Sequence, residues 1–401
     1  MKKQREVVFL IKCMSGGGAE RVVSLLSDAV AQKGFKTTII LTHQSESEAL
    51  LSDINSDVKV ISLSDEIKDV KVNKFAPEII MLVARMIGKL NFVFGEKAKY
   101  KASVLKYYSR NFKEVTYLKK YFREHKNSSA VAFLYDSIFL SLLSKSKNNK
   151  LIISERGDPA QTNSKTTMAF LKNEFQKADG FVFQSPDAQK WYEENTSVKG
   201  TVIFNPIKAD LPESYHGERQ KKIVNFCRVS AQKNLLVLVD AFEKFKRDFP
   251  EYELYIYGDP VGNDAEGYIE SVKDRIEATP CKNKIFLLPS RRDIHNEIRD
   301  YKMFVSSSDF EGMSNSMLEA MALGLPVVCT DCPAGGARAV INDGENGLLV
   351  PVGDSEKLYL AMKKIAVDKD LAEKLSRNAV ALRENQSLEK IIEKWMEIIN
   401  G

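Results

Sequence analysis

Short runs of continuously apolar residues recur along the whole chain, and most are followed by a stretch with helical periodicity. They read as buried strands at 7–11, 37–41, 130–134, 151–154 and 180–183, then at 222–226, 254–257, 285–288, 303–306 and 326–329. A strand with one wet face alternates apolar and polar residues. Many of these do not, so helices must cover both of their faces, as in a parallel sheet. Between the first two runs, Val22, Leu25, Leu26, Ala29 and Val30 share one helical face. Repeated strand–helix units predict an α/β fold with parallel sheets. The alternation pauses at Asn205-Pro206, passes through a polar stretch to Gln220 and restarts at Lys222. That predicts two doubly wound, Rossmann-like domains, 1–205 and 206–385. The amphipathic segment 388–399 has no strand after it, and 386–401 is expected to pack back on the N-terminal domain.

Composition removes several function classes. Apolar residues at 44% and charged residues at 28% exclude disorder and support a large core. The net charge of +5 is too mild to argue for nucleic acid, and none is expected as a partner. Five cysteines fit a reducing compartment rather than a disulfide framework. Cys329-Thr-Asp-Cys332 is a lone CxxC without a second ligand pair. It reads as a strand end followed by a loop, and no metal site is expected. The apolar run after the basic N-terminus is too short for a signal sequence. No run of 18 apolar residues crosses a membrane.

Segment 68–126 departs from this pattern. It holds 15 Lys/Arg and 5 Asp/Glu, a net of +10, while the chain as a whole carries +5. Within it, 79–94 is apolar apart from Arg85, Lys89 and a few small or polar residues. Glu78, Arg85, Lys89 and Glu96 fall on one stripe of a single helix. An ordinary core-facing helix fits this pattern. A helix lying on an anionic membrane surface fits it too, and the basic neighbours Lys97, Lys99, Lys101, Lys106, Arg110 and Lys113 favour that reading.

Three local patterns carry chemistry. Ser15-Gly16-Gly17-Gly18-Ala19-Glu20 joins the first strand to the first helix, where glycines admit a ligand to the helix N-terminus. It is neither a dinucleotide fingerprint nor a P-loop. Phe226-Cys227-Arg228-Val229-Ser230-Ala231-Gln232-Lys233 sets two cations five residues apart after a strand, suited to a diphosphate. Asp309-Phe310-Glu311-Gly312-Met313-Ser314-Asn315-Ser316-Met317-Leu318-Glu319 is a strand–turn–helix with a carboxylate before the helix and another two turns in. Such a pair reads as two clamps on different hydroxyl-bearing parts of one ligand.

These residues, with LYIYGD, SSSDFEGMSNSMLEAMALGLPVVCTD and CPAGGARAVINDGENGLLVPVGD, resemble bacterial glycosyltransferases of the large retaining family 4, which have the GT-B fold of two Rossmann-like domains facing a cleft. The resemblance implies that a nucleotide sugar binds mainly in the C-terminal domain. Arg228 and Lys233 match the pair that holds the donor diphosphate, and Glu311 matches the Glu beside the donor sugar. Glu319 matches the Glu that binds the ribose hydroxyls. Gly312, Met313, Ser314, Asn315 and Ser316 match the loop contacting sugar and phosphate, and Gly16 and Gly17 the N-terminal loop over the donor. It further implies retention of anomeric configuration, no cofactor and no metal, with UDP as the default nucleotide.

Two departures stand out. Cys227 replaces the usual glycine before the arginine. Ser154-Glu155-Arg156-Gly157-Asp158-Pro159 replaces the histidine many members carry near the acceptor, and resembles surface-polysaccharide transferases. Arg156 and Asp158 are the acceptor-side candidates. The four histidines match no motif. The leading expectation is extension of a lipid-linked or membrane-proximal glycan, such as a capsule unit, by a cytoplasmic protein peripheral on the inner face of the cell membrane. A soluble transferase acting on a small molecule or on protein is the runner-up, and a non-catalytic partner subunit the third.

Overall fold

The structure, a computed structural model, describes residues 5–43, 50–161, 164–196, 198–261 and 265–401. Lys2 and Lys3 of the basic N-terminus, and the side chains of Asn91 and Val93, lie outside that description. The chain forms two compact units, Met1–Phe204 with Ile391–Gly401, and Asn205–Lys390. The C-terminal segment within the first unit therefore starts at Ile391, later than the expected residue 386. Gln386 stays in the second unit, where its carbonyl accepts from Ile207 N–H at 2.9 Å.

The first unit holds seven strands: β1 (Glu6–Ile11), β2 (Lys36–Leu41), β3 (Val58–Ser62), β4 (Ser129–Phe133), β5 (Lys150–Ser154), β6 (Gly180–Phe183) and β7 (Thr201–Val202). They lie in the order β3-β2-β1-β4-β5-β6-β7, and every pairing is parallel. The strand order reverses between β1 and β4, the switch point where such sheets offer a crevice. Val7, Val8, Phe9, Leu10 and Ile11 are all buried, which explains why β1 is apolar on both faces.

Helix α1 (Gly18–Gln32) follows β1 and buries Val22, Val23, Leu26, Ala29 and Val30. Two further helices, α2 (Phe75–Lys89) and α3 (Asn91–Arg110), form a hairpin. This corrects the single helix expected across 79–94. The chain turns at Leu90, and Gly95, at φ 62°, breaks helical geometry again. Glu96 therefore lies on a different helix from Glu78, Arg85 and Lys89. A helical period alone does not register a turn whose residues are themselves apolar.

The second unit repeats the design with β8 (Gln220–Phe226), β9 (Glu253–Tyr257), β10 (Ile285–Leu288), β11 (Tyr301–Ser306), β12 (Val327–Thr330) and β13 (Leu348–Val350), in the order β10-β9-β8-β11-β12-β13. Its switch point lies between β8 and β11. Helices α4 (Leu235–Asp248), α5 (Ile294–Ile298) and α6 (Asn315–Ala322) frame the carboxyl ends of these strands. Strands β3, β7 and β13 escaped the pattern reading because they are short, or because, as in β3, exposed Lys59 and Val60 interrupt the buried residues.

The last helix, α7 (Leu388–Asn400), presents Ile391, Trp395 and Ile399 on one stripe, all buried. Trp395 stacks on Phe133, 6.0 Å between centroids. The carbonyls of Ile398 and Ile399 accept from Lys150 Nζ and from Ser129 Oγ, which satisfies groups a helix end would otherwise leave orphaned.

Candidate functional site

The second unit's switch point gathers the predicted donor residues. Arg228 is exposed on the turn leaving β8, and Cys227 before it sits against Gly258. A Cβ at Gly258 would stand 1.8 Å from the Cys227 carbonyl oxygen, so the turn requires glycine there. Burial pushes the Cys227 thiol up to about 11, against the pull of Lys233.

Lys233 ends a short 3-10 turn and is buried. Asn234 follows in the left-handed region at φ 40° and caps α4, its side chain accepting from Val237 N–H. The turn is fastened to the segment leaving β11. Ser307 Oγ donates to the carbonyls of Lys233 and Asn234, each at 3.0 Å, Asn234 Nδ2 to Asp309 Oδ1 at 2.7 Å, and Gln232 Nε2 to the Phe310 carbonyl at 2.8 Å. These bonds deliver the Lys233 ammonium to the Glu311 carboxylate, to which it donates directly. Burial works against the Lys233 charge, but Glu311 more than offsets it and holds the pKa above the ordinary lysine value.

Helix α6 begins at Ser314, whose Oγ accepts from Met317 N–H at 3.4 Å. The Gly312–Ser316 loop before and into it rests on two supports from distant sequence. Asn205 Nδ2 donates to the Met313 carbonyl and to Asn315 Oδ1, at 3.3 and 2.6 Å. Gly336 backs Gly312 so closely that a Cβ there would meet the Gly312 carbonyl oxygen at 1.5 Å. A small cavity is lined by Glu311, Ser314, Met317, Cys329, Thr330 and Cys332. Among the described residues the two cysteines of the CxxC form no disulfide, and Cys332 Sγ donates to the Ser308 carbonyl at 3.2 Å.

Glu319 stands in α6 and is buried. His295 Nε2 lies 2.9 Å from its carboxylate, and the imidazole meets the Phe226 ring edge-on at 5.9 Å. His295 is the site residue that motif reasoning missed, since α5 contributes it from 24 residues upstream. Glu311 accepts from Lys233, and Glu319 faces His295.

The predicted residues of the first unit are placed differently. Gly16, at φ 109°, turns the chain into α1. The N-terminus expected to be open has an occupant, because Glu20 reaches back and accepts from Gly17 N–H. Arg156 and Asp158 are both buried. The Arg156 guanidinium lies over the rings of Phe133 and Trp395, at 5.1 and 5.5 Å, and burial lowers its pKa to about 9. Asp158 Oδ1 accepts from Ala160 N–H, while its Oδ2 is buried without a hydrogen-bond partner among the described residues. Glu155, also buried, accepts from Tyr192 Oη at 2.7 Å.

Comparison with known proteins finds a likeness in the second unit. Residues 207–381 match the family model described as glycosyl transferases group 1. That stretch of the chain is similar to a glycosyltransferase group 1 domain. The match takes in β8 to β13 and α6, so Arg228, Lys233, His295, Glu311 and Glu319 all lie inside the matched stretch. Over 205 residues the chain is 31% identical to the poly(glycerol-phosphate) alpha-glucosyltransferase of Bacillus subtilis, covering 50% of this chain and 29% of that one. It is 26% identical over 283 residues to an N-acetylgalactosamine-N,N'-diacetylbacillosaminyl-diphospho-undecaprenol 4-alpha-N-acetylgalactosaminyltransferase of Campylobacter jejuni, covering 67% and 74%. The chain thus spans under a third of the first relative and about three quarters of the second. Among solved structures, Anabaena HepE in complex with UDP and glucose superposes with a TM-score of 0.77 over 100% of both chains at 17% identity. The likeness shows the fold, the two-domain GT-B architecture.

Proposed function

We infer that this chain moves a sugar from a nucleotide sugar, UDP-linked, to a lipid-linked or membrane-proximal glycan in the assembly of a cell-surface polymer, as a retaining, family 4 enzyme that uses no metal. The observation that carries the reading is the cluster at the second switch point: Lys233 paired with Glu311 just before α6, Arg228 on the turn that leads to Lys233, and Glu319 in α6 itself. Charge grows on the leaving diphosphate as the anomeric bond breaks. Arg228, Lys233 and the positive end of α6 are preorganised to stabilise it. The leaving phosphate oxygen takes the acceptor proton, Glu311 orients the sugar hydroxyls, and Glu319 takes the ribose hydroxyls. Retention agrees with the alpha linkages in the names of both relatives, and UDP with the ligand of the Anabaena structure.

The membrane side of the reading rests on α2 and α3. Phe75, Ile79, Leu82, Met86, Phe92 and Phe94 are exposed there, beside the basic residues of 68–126. No helix among the described residues is long and apolar enough to cross a membrane, and the attachment that we propose is peripheral, on the cytoplasmic face. A thermal-shift panel of nucleotide sugars and nucleoside diphosphates tests the donor site, since a ligand that binds the native state raises its melting temperature. A UDP-sugar should raise it with or without a chelator. No shift with any member of the panel removes the donor assignment.

A further inference from the structure

The cations of the α2–α3 hairpin are not spread evenly over it. Arg85 and Lys89 from α2 and Lys99 and Lys106 from α3 line one groove, together with Leu82 and Met86. The helices that wall it are fixed. A Cβ on Gly88 would stand 3.6 Å from that of Ala102, and Ser109 Oγ donates to the Pro77 carbonyl at 2.7 Å at the end away from the turn. Among the described residues, none of the four cations has an ion pair, and no carboxylate lines the groove. Glu96 is engaged elsewhere, accepting from Tyr100 Oη at 3.1 Å.

Four like charges converging on one groove repel one another, and no ion pair among the described residues offsets them. An anion would. The surroundings say where that anion comes from: Ile79, Leu82, Met86 and Phe94 are exposed on the same hairpin, and Phe92 at its turn is 83% exposed. A phosphate dissolved in water has no use for such residues, whereas a phosphate at the surface of a bilayer lies directly above an apolar layer. Arginine grips a phosphate through paired N–H donors and lysine adds point charge.

We propose that the groove between α2 and α3 is a phosphate-binding site for anionic lipid headgroups. Arg85, Lys89, Lys99 and Lys106 hold the phosphate while the exposed apolar residues of the hairpin enter the acyl region. This rests on the membrane reading above and sharpens it. Diffuse attraction counts charges wherever they sit; a groove counts only those that line it. Lys97, Lys101 and Arg110 are exposed on the same helix α3 and do not line it.

The full chain is titrated against phosphatidylglycerol vesicles and against vesicles given the same surface charge with oleate. Wild type is compared with two triple variants of equal charge, Arg85→Gln/Lys89→Gln/Lys99→Gln and Lys97→Gln/Lys101→Gln/Arg110→Gln. Each basic side chain at an anionic surface is worth about fivefold in affinity, so the groove variant should lose about a hundredfold. The control should lose at least about tenfold less, and wild type should prefer phosphatidylglycerol to oleate. The single changes Lys106→Gln and Lys97→Gln repeat the contrast if either triple variant fails to fold. Equal losses from the two variants overturn the groove and leave membrane docking standing, as does equal binding to both vesicle types. Glycerol phosphate binding as tightly as vesicles overturns the lipid source. No binding of wild type to either vesicle at low salt overturns the membrane reading itself, and the groove with it.

Discussion

In the second unit, Lys233 has Glu311, Glu319 has His295 and Asp309 has Asn234. On the α2–α3 hairpin, Arg85, Lys89, Lys99 and Lys106 have no such partners among the described residues. The first set is buried or half-buried, and most of the second is exposed. A ligand with both phosphates and hydroxyls needs cations and carboxylates in fixed places, and burying such groups is tolerable only when they hold one another. Exposed cations carry no such requirement, because water solvates them until an anion arrives. Pairing at Lys233, Glu311 and Glu319 fits the chemistry proposed for the donor site, and the unpaired cations of the hairpin fit the proposed attraction to an anionic surface.

The comparison breaks first, and most visibly, at the paired end. Arg228→Ala and Lys233→Ala should each slow transfer by about a hundredfold or more at saturating donor, the usual cost of removing one preorganised group facing developing charge. Lys233→Ala should also destabilise the fold by about 1–3 kcal/mol, because Glu311 loses its partner. Near-normal turnover in both variants would remove the diphosphate assignment. The Lys233 pKa is raised in the folded state. Its contribution is therefore full below the unfolded lysine value and is lost only as pH rises through the raised one. A decline in donor binding at lower pH has another source.

Glu319→Ala comes next, costing about 1.5–3 kcal/mol of donor affinity, the scale of a hydrogen bond to a charged group. Titration calorimetry with UDP reads it directly. Unchanged affinity takes Glu319 out of the site and dissolves its pairing with His295 as a functional fact.

His295 sharpens the same contrast. It touches the Glu319 carboxylate and not the reaction, so His295→Leu should raise donor KM about fivefold and leave kcat in place, the loss of one hydrogen bond of about 1 kcal/mol. His295→Gln, which keeps an N–H donor, should recover most of it. In a Glu319→Ala background the His295 change should add nothing, since residues acting through one another are not additive. A full effect in that background assigns His295 a role of its own.

These residues differ in how legible they were. Arg228, Lys233 and Glu311 lie on the turns that leave β8 and β11, Glu319 lies in the helix that follows β11, and the chain order of strand, turn and helix places them at a sheet's carboxyl edge. His295 and Asn205 reach the same site from other elements, and no spacing rule links them to it. Gly336 is similar: its role is visible only once the Gly312 carbonyl oxygen is seen where its Cβ would be. The α2–α3 turn was hidden for the opposite reason. Leu90, Phe92 and Phe94 continue the apolar pattern straight through the break, so composition announced an exposed surface but not its shape. Glu20 shows a third case, a glycine loop whose helix terminus is taken by the chain's own carboxylate.

The smallest effect tests the unpaired end on stability rather than binding. If the groove cations only repel one another in the free protein, removing one should not cost stability. Lys99→Gln should leave the melting temperature unchanged or raise it slightly, because like-charge neighbours on helices cost about 0.2–0.5 kcal/mol each. The gain should shrink as salt is added, since exposed charges are screened within about 10 Å at 0.1 M. Lys233→Ala should behave in the opposite way, destabilising at every salt concentration, because its pair is shielded from solvent. Differential scanning calorimetry at low and high salt separates the two. A clear destabilisation by Lys99→Gln at low salt would mean that the groove holds itself together through its cations. Charge there would then be structural, and the contrast between paired and waiting charge would be lost.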